Sequence, residues 1–172
     1  LRMGPARDLS DAREVLERHD SFDDFPWPLL YSELDAAYPD AKFVLTTRRD
    51  SQTWLRSLVS HAERTGANAM KKAAYGFRTP IGQEAAHIAF YESHNAAVVE
   101  HFRDRPGKLL VVCWEKGDGW RELCGHLGVD APVDIAFPVA NAGQVGPVRT
   151  IARRLRRVYN QTVFGILDRK YE

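Results

Sequence analysis

The chain reads as an α/β domain, a parallel sheet flanked by helices. Two short apolar runs, 43–47 and 109–114, are rich in β-branched residues and lack alternation, as strands of a buried parallel sheet do. Around them lie segments in which apolar residues recur at three- and four-residue spacings, the pattern of helices that pack on one face. A third observation limits the count. Only one further stretch, near Phe22, offers a doubtful strand, which is few for a doubly wound sheet.

The elements follow in order. Ser10 is placed to cap a short helix to about His19, with Ala12, Val15 and Leu16 on its apolar side. Residues 22–28 are aromatic and proline-rich, so the backbone there is extended or turning. A second helix is expected over 29–38, ended by Pro39-Asp40. Residues 42–61 open as a strand, turn at Arg48-Arg49-Asp50-Ser51, and continue as a helix with Trp54, Leu55, Leu58, Val59 and Ala62 on one face. Asp50 or Ser51 caps it. Residues 64–82, with their glycines and the Lys71-Lys72 pair, read as a mobile surface loop holding a short helical piece. A long helix is predicted over 83–102 through Ala85, Ile88, Tyr91, Asn95, Val98 and Phe102. After the second strand, Asp118 is expected to cap a helix carrying Trp120, Leu123, Cys124 and Leu127, closed by Gly128. Residues 148–167 are expected to form a basic amphipathic helix with Arg149, Arg153, Arg154, Arg156 and Arg157. It reads as a solvated cationic face, with peripheral membrane or partner binding as the sharper alternative. The expected organisation is one α/β unit over 1–147 followed by that helix over 148–172.

At 172 residues with 44% hydrophobic content, the chain has the size and apolar content of a domain with a real core. Its net charge of +1 gives no global field for nucleic acid or an anionic membrane, so any basic site must be local. Cys113 and Cys124 have neither a disulfide-framework nor a metal-ligand spacing and read as buried thiols of a reducing compartment. No metal site is expected. No apolar run reaches membrane-spanning length and no signal peptide precedes the first helix, so the expectation is a cytoplasmic protein.

The turn at 48–51 carries the chemistry. It delivers two arginines to a helix N-terminus, where backbone N–H groups and the helix dipole favour an anion. Ser57 follows Arg49 by eight residues, two turns into the helix. A guanidinium and a hydroxyl so placed suit one phosphate. Surface pairing of Arg48 or Arg49 with nearby acids is the alternative, and spacing alone leaves both open.

Three blocks in order make a stronger statement: FDDFPWPLLYSELDAAYPDAKFVLTTRRDSQTWLRSLVSH, HNAAVVEHFRDRPGKLLVV and KGDGWRELCGHLGVDAPVDIAFPVAN. With them the chain resembles the P-loop sulfotransferases that use 3′-phosphoadenosine 5′-phosphosulfate (PAPS). The resemblance implies a parallel sheet flanked by helices, related to nucleotide kinases, and transfer of a sulfonate from PAPS to a hydroxyl or amine of a small molecule, lipid or glycan. It places the 3′-phosphate site at Arg49 and Ser57. Alignment from the upstream strand would put Arg48 there, whereas the offsets to Asp50, Trp54 and Ser57 favour Arg49. Asn141 falls in a segment that lies over the nucleotide in such enzymes.

Asp24 sits where related enzymes keep their base; a turn-forming aspartate is its alternative, and His61, His87 and His94 are the other candidates. Trp27, Trp54, Tyr75 and Tyr91 suit an acceptor pocket or the core. One departure stands out. No GxxxxGK[ST] or similar Gly-Thr turn occurs in the 172 residues, so the family's 5′-phosphosulfate loop is not in this sequence. This predicts either a strand–loop–helix preceding Leu1 or a non-catalytic remnant that acts through its basic C-terminal helix. Acceptor identity and homodimerisation stay open.

Overall fold

A computed structural model of the chain describes residues 9, 12–67 and 69–138; Ser10, Asn141 and the basic segment 148–167 lie outside the described residues. The elements run α1 (Arg13–Leu16), α2 (Tyr31–Ala37), β1 (Phe43–Thr46), α3 (Ser51–Thr65), α4 (Ala69–Tyr75), α5 (Glu84–His101), β2 (Leu109–Val112) and α6 (Trp120–Leu127). Single 3-10 turns occupy Trp27–Leu29 and Trp114–Lys116.

The α/β class holds. β1 and β2 pair in parallel, with Phe43 opposite Leu109 and Thr46 opposite Val112. They are the strands found among the described residues, and the doubtful strand near Phe22 is instead turn and 3-10 backbone. Pro26 and Pro28 remove backbone donors there, so no ladder can form.

α3 is laid down by its own sequence. Asp50 is the N-cap, in extended conformation, and its Oδ1 accepts the Thr53 N–H at 2.5 Å. Leu55 and Ala62 bury the apolar face. Gly66 ends the helix with a positive φ of 81°, a conformation that favours glycine. α3 packs on α5, and α6 packs on β2.

Several expectations are corrected. The first helix is confined to Arg13–Leu16 with Ala12 as N-cap and no side-chain cap bond. Residues 64–82 hold the expected short helical piece, α4, but the segment is not confined to the surface. Lys71, Ala74, Thr79, Pro80 and Ile81 are buried, with Thr79 only 3% exposed. Lys71 fits because its ammonium donates to Thr65 Oγ1 at 3.0 Å and the Gly66 carbonyl at 3.1 Å, while its stem covers apolar surface. Asp118 does not cap α6. Its Oδ2 accepts the Cys113 N–H at 2.7 Å and ties the end of β2 to the following turn. Gly119 is the N-cap, and its N–H is satisfied by Glu122. On α5 the buried face runs through His87, Tyr91, His94, Val98 and Phe102, and Ala85 faces solvent. Cys113 and Cys124 are buried free thiols, as expected. No helix among the described residues is long and apolar enough to cross a membrane.

The amino ends of the strands are closed by a charge cluster. Asp35, buried on α2, takes Arg105 Nη1 at 2.6 Å, His101 Nε2 at 2.9 Å and Lys108 Nζ at 3.4 Å. Lys108 also donates to the Pro39 carbonyl at 2.5 Å. Phe43, the first residue of β1, stacks near Phe102 with centroids 4.7 Å apart. The cluster therefore holds α2 to the α5–β2 connection and fixes where both strands begin.

Candidate functional site

The carboxyl ends of the parallel strands are where open α/β sheets hold ligands. Here β1 leaves through Thr47, whose N–H and Oγ1 both donate to the Val112 carbonyl, at 2.7 Å and 3.1 Å. Arg48 and Arg49 come next, and Asp50 starts α3.

Glu115, in the 3-10 turn just after β2, clamps this turn from the side. Its Oε1 accepts Arg48 Nη2 at 2.5 Å, and its Oε2 accepts the Arg49 backbone N–H at 3.0 Å. The Arg48 N–H donates to the Tyr91 hydroxyl at 2.9 Å, so both backbone donors of the pair are taken by side chains. The hydrogen bond from Arg48, with the one from the Arg49 amide, draws the Glu115 carboxyl down to about 2. The same contact raises Arg48, against a lesser opposing effect of burial. The Arg49 guanidinium, by contrast, has no hydrogen-bond or ion-pair partner among the described residues and is exposed. Arg48 Nε is a buried donor without a partner among them.

The expected anion-attracting helix N-terminus is partly occupied. The Asp50 carboxylate holds the Thr53 N–H, and that hydrogen bond lowers the Asp50 pKa. Of the backbone groups expected to greet an anion, the Arg48, Arg49 and Thr53 amides are engaged. Ser57 lies seven residues beyond Asp50, close to two full turns, so it shares the stripe of the N-cap. That is about 10 Å along the axis, a gap that an arginine side chain and an intervening phosphate cover together. Ser57 is half-buried and has no hydrogen-bond partner among the described residues.

Beneath the turn lies an aromatic cluster. Trp54 of α3 stacks on Tyr91 of α5 at 4.5 Å and 16°. Tyr75 of α4 sits against Phe25 at 5.1 Å, Phe90 at 5.0 Å, His87 at 5.1 Å and Trp54 at 6.2 Å. Burial, with a smaller contribution from the charge of Asp24, pushes the Tyr75 hydroxyl up to about 12. Trp27 belongs elsewhere, against Phe22 at 4.6 Å.

Asp24 is exposed, with a φ of 58°, a left-handed conformation that aspartate tolerates better than most residues. Its charge acts on Tyr75 and on His61, and no described contact joins it to the arginine turn. His61 is lowered chiefly by burial and then by Lys71 and Arg64, with Asp24 opposing. His87 is 1% exposed; its Nδ1 lies 2.8 Å from the Gln83 carbonyl, and its Nε2 has no partner among the described residues. His94 stacks on Phe90 at 6.0 Å and 1° and is lowered by burial. Both rings sit in the helix interface as neutral groups.

Glu115 was not singled out in the sequence. Its signal is positional, an acid just past the end of the strand that runs parallel to β1. Such a residue comes level with the first residues after β1 once the register is known.

The fold and this turn define an α/β domain with a basic strand-end site set over an aromatic helix interface. A sequence profile of the sulfotransferase domain family matches residues 3–80 and 64–145. The chain belongs to that family. It is also similar to Ava biosynthesis cluster protein M of Aspergillus versicolor, with 25% identity over 142 residues, 71% of this chain and 54% of that protein. The chain thus spans about half the length of this curated relative.

Proposed function

We propose that the chain carries the 3′-phosphate half of a PAPS-dependent sulfotransferase with P-loop, nucleotide-kinase-like architecture, acting on a hydroxyl or amine of a small molecule, lipid or glycan. The observation that carries this reading is the asymmetry of the arginine pair. Arg48 is held by Glu115, whereas the Arg49 guanidinium is exposed and has no hydrogen bond or ion pair among the described residues. The side chains present fit a phosphate: the exposed Arg49 guanidinium and the Ser57 hydroxyl two turns into α3.

PAPS would supply an activated sulfonate. The chain's part is to hold the 3′-phosphate through Arg49 and Ser57, with Asn141 as a further contact, and to take a proton from the acceptor. Asp24 is the assigned base, beside the aromatic face of Phe25, Tyr75 and Trp54 that would receive the acceptor. The 5′-phosphosulfate half has no counterpart motif in the 172 residues.

A thermal melt with adenosine 3′,5′-bisphosphate against ADP tests the reading. Ligand at a hundredfold over its dissociation constant adds about 2.7 kcal/mol, a shift of roughly 5–10 °C for a domain of this size. The shift should appear with the bisphosphate alone. Arg49→Ala should weaken binding by about tenfold to a hundredfold, the loss of a charge-assisted contact. Equal shifts with both nucleotides, or an Arg49→Ala variant that binds as well as the parent, would reject it.

A further inference from the structure

We infer that Glu115 is a positioning residue that assigns the anion to Arg49 by withholding Arg48, an inference that rests on the 3′-phosphate reading above. Two adjacent arginines at a strand end are chemically equivalent and flexible, so without a third group either could take the ligand. Glu115 breaks the equivalence with one carboxylate. One oxygen holds the Arg48 guanidinium at 2.5 Å, and the other holds the Arg49 backbone N–H at 3.0 Å. The second contact matters as much as the first. It pins the Arg49 main chain while leaving its guanidinium with no hydrogen bond or ion pair among the described residues, its charge felt by Glu115 and Asp50 only at longer range. Tyr91 completes the arrangement from α5 by accepting the Arg48 N–H at 2.9 Å, so both amides of the turn are fixed from outside it.

The groups facing Glu115 are thus Arg48 and Arg49 from the β1–α3 turn, with Tyr91 from α5 on the neighbouring amide. Asp50 is committed to its own helix through the Thr53 N–H, so it does not compete for either guanidinium through a hydrogen bond among the described residues. A carboxylate at 115 therefore sets the specificity of the turn: one cation is structural and the other is available.

Labelling with phenylglyoxal, an arginine-directed dicarbonyl, followed by peptide mass spectrometry, tests this on the full chain. Arg121, whose side chain is 93% exposed, serves as the internal reference. In the parent, Arg49 should react about tenfold faster than Arg48, the protection expected from a charge-assisted hydrogen bond. In Glu115→Gln the Arg48 rate should rise toward that of Arg49 while Arg121 stays constant. A general loosening of the domain would instead raise many arginines together. Equal labelling of Arg48 and Arg49 in the parent, or an Arg48 rate that does not move in Glu115→Gln, overturns the assignment. The contrast within the parent needs no variant, so a variant that fails to fold leaves the test standing.

Adenosine 3′,5′-bisphosphate is then added to the parent. Protection of Arg49 supports both the positioning role and the nucleotide reading. Protection of neither arginine, with the contrast intact, rejects the nucleotide and keeps the role of Glu115. Protection of both, with no contrast, does the reverse.

Discussion

Replacing Asp35 with asparagine keeps the size of the side chain and removes the one negative charge that Arg105, His101 and Lys108 share. Its carboxylate is buried, so water cannot substitute for the lost charge. Breaking a fully buried ion pair by removing one partner costs about 3–5 kcal/mol. The Arg105 side chain is 42% exposed and regains water, which argues for the lower part of that range or just below it. An estimate of roughly 2–3 kcal/mol follows, or a fall in Tm of roughly 4–12 °C for a chain of this length. The same contacts give the pH signature. Burial alone would raise the Asp35 carboxyl, but the hydrogen bonds from Arg105, His101 and Lys108 together hold it below its ordinary 3.8. A carboxyl lowered in the folded state stabilises the protein above its unfolded value, and that contribution is lost as pH falls through the folded value. The gap in Tm between parent and Asp35→Asn should therefore be constant from about pH 7 to 5 and close below about pH 4. Thermal melts of both proteins across this range read it directly. A gap below about 1 kcal/mol at neutral pH, or one that persists unchanged in acid, would refute the cluster as the clasp of the strand starts.

Two further outcomes follow from burial. His87, lowered chiefly by burial, takes its proton less readily folded than unfolded, so its contribution is present above the ordinary 6.5 and is lost as pH falls. The Tm of the parent should fall between about pH 7.5 and 5.5, and His87→Phe should flatten that slope, with the remainder left by His61, His94 and His126, which burial also lowers; an unchanged slope would remove His87 from the account. Val112 is 1% exposed in β2, and Val112→Ala should cost about 2–3 kcal/mol by equilibrium urea unfolding from lost burial and a cavity. A loss under about 0.5 kcal/mol would mean that the strand end is not packed as described.

What the sequence disclosed and what it hid divide along one physical line. Features fixed by a few adjacent residues were legible. The β-branched run of β1, the Asp50 cap, the apolar stripe of α3 and the Gly128 stop, with its positive φ of 75°, all stand where local chemistry puts them. Features that need two distant segments were not. Asp35 meets its partners from the far end of α5 and the connection to β2, and nothing in residues 31–37 announces it. Lys71 looked like a solvated charge in a glycine-containing loop, and only the position of the α3 C-terminus shows what receives its ammonium. Asp118 was read as a cap because it precedes a helix, yet the nearer unsatisfied group is the Cys113 N–H. At the site, the free status of Arg49 depends on Glu115, which the parallel register brings across from beyond β2. The pair Arg49 and Ser57 came from local spacing, whereas the hold of Glu115 on Arg48 comes from a turn beyond the other strand.

The two ends of the sheet use charge for opposite purposes, and this explains why a net charge of +1 says little about function. At the amino ends Arg105, Lys108 and the His101 ring converge on one buried carboxylate, and their task is to place α2 and the strand starts. At the carboxyl ends one carboxylate engages one guanidinium and one amide, and a second guanidinium is left over. The ends are joined by the strands, which are four residues each, and by α5, which carries both Tyr91 and His101. Loss of Asp35 should then lower stability while leaving the Arg48–Arg49 contrast in place, because the turn is held by Glu115 and Tyr91 rather than by the amino-end cluster. Val112 bears on the arginine turn directly. Its carbonyl receives both donors of Thr47 immediately before Arg48, so a shift of its backbone moves the arginine turn itself.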